Sequence, residues 1–473
     1  MKQIIYQVLP RLWGNGKFSS IDTGSFQYWK GLGAHYVWYT GIIRHASVSS
    51  GEKVVKGEAG SPYAITDYYD VNPYMADVPE RRMEEFEDLV KRTHEAGLKC
   101  LVDFVPNHVA REYKGTLGAG DDKNVHWAPE NDFFYYPGQA LRLPVNPKGY
   151  EEMPAKASGN CFTAAPGMND WWETVKINYC DYHTGTWDKM RDIVRFWAAK
   201  GVDGFRCDMV ELVPPQFMKW LIASIKAEFP QVIFVAEVYE KDKYRMYVEE
   251  VGFDFLYDKC GLYDTLRAVT CSGASAREIS HNWQFLGSLQ PHMLNFLENH
   301  DEQRVASDFF CGSAQAGYAA LAVSALLNDA PFMLYFGQEM GERGMQQEGF
   351  SGLDGRTSIF DWCTVPALKK PNKSVQKRYK EVLALAGKPA FAEGRTFDLC
   401  YCQDSERFNP DRHFAFLRSD GKHTFLVVSN FGEATDITVR IPVEALDYLG
   451  IKLVRTVFTL TVGARDFCVE ELH

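Results

Sequence analysis

The chain has 473 residues, 46% of them apolar and 24% charged, and carries a formal charge of −11. That balance describes a soluble globular protein long enough to bury a core without disulfide or metal staples, and its acidity argues against nucleic acid or an anionic membrane as a partner. The 11 cysteines are scattered without a paired framework, and no apolar run approaches the ~18 residues of a membrane span. The first residues lack the pattern of a secretion signal. Together these features predict a cytoplasmic protein without a membrane span and leave its oligomeric state open.

Taken in chain order, short apolar runs alternate with helical patterns. Strands are expected at Ile4–Leu9, Tyr36–Tyr39, Lys99–Phe104, Gly204–Cys207, Val232–Ala236, Phe253–Tyr257, Met293–Leu297 and Phe332–Phe336. Several are continuous rather than alternating, as strands buried on both faces are. Between them, Met83, Phe86, Leu89 and Val90 mark a helix that stops at Gly97. Met190, Ile193, Val194 and Trp197 mark another that stops at Gly201, and Phe217, Leu221 and Ile225 mark a third entered through Pro214 and Pro215. Eight such repeats predict an α/β fold, a (β/α)8 TIM barrel whose site lies at the C-terminal strand ends.

Two stretches break the rhythm. Residues 106–172 are too long for a strand-to-helix loop and predict a small inserted domain after the third strand. From about 388 the pattern turns to period two. A hairpin is expected over Phe414–Leu417, Asp420-Gly421 and Phe425–Val428, with further strands at Ile437–Ile441 and Leu453–Phe458, predicting a C-terminal all-β sandwich. The expected organisation is barrel 1–105, insert 106–172, barrel 173–387 and sandwich 388–473.

Acidic residues gather where strands end: Asp103 on the third, Asp208 after the fourth, Glu237 after the fifth, and His300-Asp301 after the seventh. In a barrel these points face one another across the mouth. Two carboxyls on neighbouring strand ends suit retaining glycoside hydrolysis, in which one attacks the anomeric carbon and the other protonates the leaving oxygen. Arg206 projects to the same side as Asp208 and is expected to hold it anionic, while the apolar strand before Glu237 is expected to favour its protonated form. His108 and His300 are candidate donors to sugar hydroxyls. A carboxylate at a strand end is, taken alone, more often a cap or a structural ion pair; four in this order are not. No phosphate loop or His-Glu-x-x-His zinc pattern competes.

Asp103-x-x-x-Asn107-His108, Gly204-x-Arg206-x-Asp208, Glu237 after its apolar strand, and Phe296-x-x-Asn299-His300-Asp301 resemble the four conserved regions of glycoside hydrolase family 13, the α-amylase family. The resemblance covers nearly the whole chain. It implies that Asp208 is the nucleophile, Glu237 the acid/base and Asp301 the transition-state stabiliser. Ser61-Pro62-Tyr63-Ala64-Ile65-Thr66-Asp67-Tyr68-Tyr69 resembles the segment whose tyrosine stacks on the sugar in subsite −1, here Tyr63, and a phenylalanine would keep most of that contact. Asp67 and Arg304 complete the substrate-binding candidates, beside Arg206, His108 and His300. The resemblance also implies that Asn107 binds a structural calcium ion with the Leu212 carbonyl; the alternative is an Asn that anchors a loop. No cofactor is expected for the chemistry itself.

There are departures. Many α-amylases follow the nucleophile, three and four residues on, with Lys-His; this chain has Glu211 and Leu212. The leading expectation is hydrolysis of α-1,4-glucosidic bonds in maltodextrins or short oligosaccharides. The second is a transglycosylase or isomerase that shares the covalent intermediate. The third is a non-catalytic sugar-binding scaffold, which the intact Asp208, Glu237 and Asp301 disfavour.

Overall fold

The computed structural model describes residues 2–115, 139–179 and 185–473. Part of the expected insert, residues 116–138, lies outside the described residues. The barrel strands are β1 (Ile4–Val8), β2 (Tyr36–Tyr39), β3 (Lys99–Phe104), β4 (Gly204–Cys207), β5 (Ile233–Ala236), β6 (Phe255–Tyr257), β7 (Met293–Phe296) and β8 (Phe332–Tyr335). Each pairs in parallel with its chain neighbours, and β8 returns to β1 with Ile4 opposite Phe332, which closes the sheet. All eight lie where the apolar runs place them. Every residue of β1, β2, β4 and β8 is buried, which is why these runs do not alternate in sequence.

The crossover helices bury the stripes expected of them. Arg82–Glu95 buries Phe86, Leu89 and Val90 and gives way to Gly97 at φ 74°, a left-handed turn that a side chain would resist. Thr186–Ala199 buries Met190, Ile193, Val194 and Trp197, and Pro215–Glu228 starts on a proline whose missing N–H costs nothing in the first turn. Among the described residues, no helix is long and apolar enough to cross a membrane.

Three departures from the plain barrel shape its mouth. A ladder between Ile43–His45 and Ile65–Val71 follows β2 and carries the segment with Tyr63. The insert stands on a second ladder, His108–Ala110 against Thr174–Lys176, so its footing extends past the boundary expected at 172. After β8, residues 349–361 turn back over the strand ends and contribute to the site described below.

The tail is a separate antiparallel domain. Arg395–Asp398, His413–Ser419, Thr424–Asn430 and Phe467–Leu472 form one sheet, and Thr435–Arg440 with Val457–Val462 forms another. The expected hairpin is present, with Phe416 opposite Val427. The final pair differs from expectation: the strand expected at Leu453–Phe458 begins at Val457, and the helix Val443–Leu449 stands between the two strands. Alternation divides the larger sheet between two cores. Phe414, Phe416, Phe425 and Val427 join the barrel cluster, whereas Ala415, Leu417, Leu426 and Val428 pack with Ile437, Val439 and Phe458 of the smaller sheet.

Candidate active site

Barrel register sets two carboxylates side by side. Cys207 pairs with Ala236 across β4 and β5, and the next residues are Asp208 and Glu237. Hydrogen bonding continues past the strands: Asp208 N donates to Phe104 O at 2.9 Å and Glu237 N to Cys207 O at 3.1 Å. Both side chains therefore leave at the C-terminal mouth. Arg206, on the same side of β4 as Asp208, places Nη1 2.6 Å from Asp208 Oδ1 and Nη2 2.8 Å from Glu237 Oε2. Its Nε donates to Tyr257 Oη at 3.3 Å, and the rings of Trp38 and Tyr63 stand 5.6 and 5.2 Å away. Met209 adopts φ 44°, uncommon for a residue with a side chain, and this turn aims its N–H at Glu237 Oε2, 2.9 Å away.

Asp301 completes the group from the end of β7. His300 links it to the barrel interior. Gln7 Nε2, a donor, lies 2.8 Å from His300 Nδ1, which therefore accepts and leaves the proton on Nε2. That nitrogen is 2.9 Å from Asp301 Oδ2 and also meets the Tyr63 hydroxyl. The Tyr63 ring stacks on His300 at 5.2 Å, and its hydroxyl reaches Asp103 Oδ1 at 3.3 Å. Trp38 Nε1 donates to the other Asp103 oxygen at 3.2 Å.

Electrostatics separate the carboxyls. Burial pushes Asp208 well above the usual range; Arg206 opposes this, while Glu237 and Asp301 reinforce it. Arg206 therefore does not simply fix Asp208 as an anion. Its single charge is divided among Asp208, Glu237 and, at 3.8 Å, Asp103. Burial raises Asp103 in the same way, against Arg206 and His300. Burial raises Asp301 too, but His300, Arg206 and Arg356 outweigh it and hold the carboxyl down at about 2. Like charges around one guanidinium favour keeping a proton within the group, which an acid catalyst requires.

His108 takes its place through a relay. Lys176 Nζ donates to Asn107 Oδ1 and, at 2.8 Å, to Leu212 O. An ammonium can only donate, so it fixes the orientation of the Asn107 amide. Asn107 Nδ2 then lies 3.0 Å from Gly159 O and 3.1 Å from His108 Nδ1. His108 Nδ1 accepts, and Nε2 keeps its proton as a donor for a hydroxyl. Burial, with Lys176, Lys56 and Arg206 nearby, lowers His108 to about 3, so the ring is neutral at ordinary pH.

These groups open into one cavity of about 560 Å³, lined by Tyr63, His108, Asp208, Glu237 and Asp301. A neighbouring space of about 210 Å³ touches His300, Asp301, Asp354 and Arg356. Two expected residues lie elsewhere. Asp67 is buried in the ladder beside β2, where Oδ1 accepts from Tyr69 N at 2.9 Å. Arg304 is buried behind the mouth, holding Glu298 and Phe336 O, each at 2.9 Å. Neither lines the cavity, and nor does Arg206, expected to bind substrate, which is buried behind Asp208 and Glu237. Residues that the motifs do not single out do line it: Trp171 and Met168 from the insert, Tyr239 after β5, and Phe350 and Phe360 after β8. Aromatic residues beside turn-rich stretches were the available signal, but it does not distinguish a sugar-facing ring from a core one.

The family model described as alpha amylase, catalytic domain, matches residues 14–384. The chain belongs to the α-amylase family. As a member it is a glycosidase or transglycosylase built on the family's barrel. It is 25% identical over 392 residues to Alpha-amylase 3 of Dictyoglomus thermophilum, covering 76% of this chain and 68% of that protein. It is 22% identical to the Cyclomaltodextrinase of Geobacillus thermopakistaniensis, covering 83% of this chain but 60% of that one, so the chain spans well under the full length of that relative. In three dimensions it is similar to the cyclic α-maltosyl-(1→6)-maltose hydrolase of Arthrobacter globiformis, with a TM-score of 0.73, 18% identity, and 99% of this chain and 98% of that one covered.

Within this α-amylase-family site, the calcium position expected from Asn107 does not suit a metal ion. Asn107 Oδ1 and Leu212 O, the two expected ligands, both receive the Lys176 ammonium. A divalent cation there would have to displace a buried like charge. Among the described residues, no other group of three His, Cys, Asp or Glu side chains gathers to hold a metal ion.

Proposed function

We propose that this chain hydrolyses α-1,4-glucosidic bonds of short maltooligosaccharides with retention of configuration. Asp208 is the nucleophile, Glu237 the acid/base and Asp301 the group that grips the sugar as positive charge develops. The observation that carries this reading is Arg206, whose two ends meet Asp208 and Glu237. Two carboxylates held at one guanidinium favour the short separation, about 5–5.5 Å, that a retaining enzyme uses for its covalent intermediate, over the wider gap an inverting water needs. The cavity volume, of the size that encloses a small ligand, favours short substrates over a long surface groove. Lys176 takes the place of calcium in this reading, and the scattered cysteines suit a reducing, cytoplasmic setting.

The test is the anomer released first from maltotriose, read by proton NMR, together with two variants. An α-anomer is expected, and a β-anomer overturns the assignment. Asp208→Asn should lose turnover while remaining folded. Glu237→Gln should fail on maltotriose yet still react with α-glucosyl fluoride, whose leaving group needs no proton. Product separation over maltose, maltotriose, starch, isomaltose, sucrose and trehalose then fixes linkage and separates hydrolysis from transfer.

A further inference from the structure

Tyr239 lies two residues past Glu237, lines the cavity, and donates its hydroxyl to Glu237 Oε1 at 2.7 Å. The other carboxyl oxygen, Oε2, already faces Met209 N–H at 2.9 Å and Arg206 Nη2 at 2.8 Å. The N–H hydrogen bond and the guanidinium charge both disfavour a proton on Oε2, so the oxygen that exchanges protons is Oε1, the one Tyr239 addresses. Glu211 fixes the tyrosine's backbone. Its Oε2 accepts from Tyr239 N at 2.7 Å and its Oε1 from Glu240 N at 3.2 Å. This glutamate is the residue at which the chain departs from the lysine of many α-amylases. Burial, with Glu237 and Asp301 nearby, pushes the Tyr239 hydroxyl far above its ordinary range, so it works as a neutral hydroxyl throughout.

We propose that Tyr239, clamped by Glu211, is a positioning residue for proton transfer, holding Glu237 Oε1 and stabilising the carboxylate left after the proton departs. The inference rests on Glu237 as the acid/base. In the first step, Glu237 Oε1–H passes its proton to the glycosidic oxygen as the C1–O bond breaks. The bond's electron pair goes to that oxygen, and Asp208 forms the ester at C1. Tyr239 then donates to the new carboxylate. In the second step, water gives a proton to Oε1, its oxygen bonds C1, and the ester bond to Asp208 breaks. The charged groups facing this pair are Arg206 from β4 and Asp208 just after it, Asp301 after β7, and Glu211 from the turn following Asp208.

The experiment compares kcat/KM against pH for maltotriose and for α-glucosyl fluoride in the full chain and in Tyr239→Phe, which keeps the ring. Losing a donor to the charged form moves the basic limb on maltotriose to higher pH by roughly one unit, and the maximal kcat/KM falls about tenfold. Fluoride turnover stays within about twofold, since that leaving group needs no acid. Glu211→Gln, which keeps one acceptor oxygen, shifts the limb in the same direction by less. An unmoved limb, or equal losses on both substrates, overturns the proposal and makes Tyr239 a packing or sugar-stacking residue. If Tyr239→Phe shifts the limb and Glu211→Gln does not, the clamp is overturned. Glu237→Gln separates the two levels. Unimpaired maltotriose hydrolysis by that variant removes the acid/base assignment, whereas its loss beside an unmoved Tyr239→Phe profile removes only the present inference.

Discussion

Tyr63 shows how a single hydroxyl changes what a substitution is expected to do. Its position in the sequence suggested a ring for stacking, for which phenylalanine would serve. Its hydroxyl, however, meets His300 Nε2 and Asp103 Oδ1 in a buried setting. Tyr63→Phe keeps the aromatic face but takes a partner from two buried polar groups, a loss worth about 1–3 kcal/mol. We expect kcat/KM on maltotriose to fall roughly tenfold. A variant with wild-type kcat/KM would return Tyr63 to a stacking role alone. Arg206, Asp208, Glu237 and Asp301 were legible because each belongs to a short local pattern at a strand end. Gln7, Lys176 and Tyr239 were not, because their meaning depends on partners brought together by the fold. Asp67 and Arg304 lie in the right segments but turn away from the cavity, a distinction of side-chain direction that spacing does not encode.

Among the elements, the barrel strands were the easiest to read and the tail the hardest. Strands buried on both faces leave unbroken apolar runs, so all eight stand out in the sequence. The short tail strands alternate, and their ends blur where exposed residues intervene; the last strand begins at Val457, four residues after its expected start. The helix Val443–Leu449 had signals at both ends, Pro442 before it and Gly450 at φ 69° after it, but seven residues carry little periodicity. The ladder beneath the insert has a consequence of its own. Lys176, on that ladder, joins the exit of β3 through Asn107 to the turn after Asp208 through Leu212. Lys176→Met leaves the buried Asn107 oxygen and the Leu212 carbonyl without the ammonium, and we expect the melting midpoint to fall by several degrees, from about 2 kcal/mol of lost bonding. The parent should melt at the same temperature with calcium or with a chelator. A midpoint that drops on chelation would mean a metal holds this junction.

At the scale of the whole molecule, the larger tail sheet ties two cores together, so a disturbance in the tail reaches the barrel. His413, at the start of that sheet, gives a way to measure this. Its Nδ1 accepts from Asn409 N at 2.9 Å, and burial lowers its pKa to about 4. The unfolded chain takes up the proton first, near pH 6.5, so the neutral ring contributes stability above that pH and loses it as pH falls toward 4. Between pH 7.5 and 5 the parent should therefore lose about 2 kcal/mol more than His413→Gln, read from urea midpoints. Parallel pH profiles for the two proteins would show that the folded site admits the proton.

Closure of the barrel also dictates a timetable. Ile4 cannot find Phe332 until about seven-tenths of the chain has left the ribosome, and the ring has no mouth before that. Asp103, Asp208, Glu237 and Asp301 all emerge earlier, but as residues of an open sheet whose first edge waits for its last strand. A nascent chain stalled before Phe332 thus carries every carboxylate of the site and no enclosed place in which to use them. During synthesis, activity should appear in a single late step, once the eighth strand has docked and residues 349–361 have closed over the strand ends.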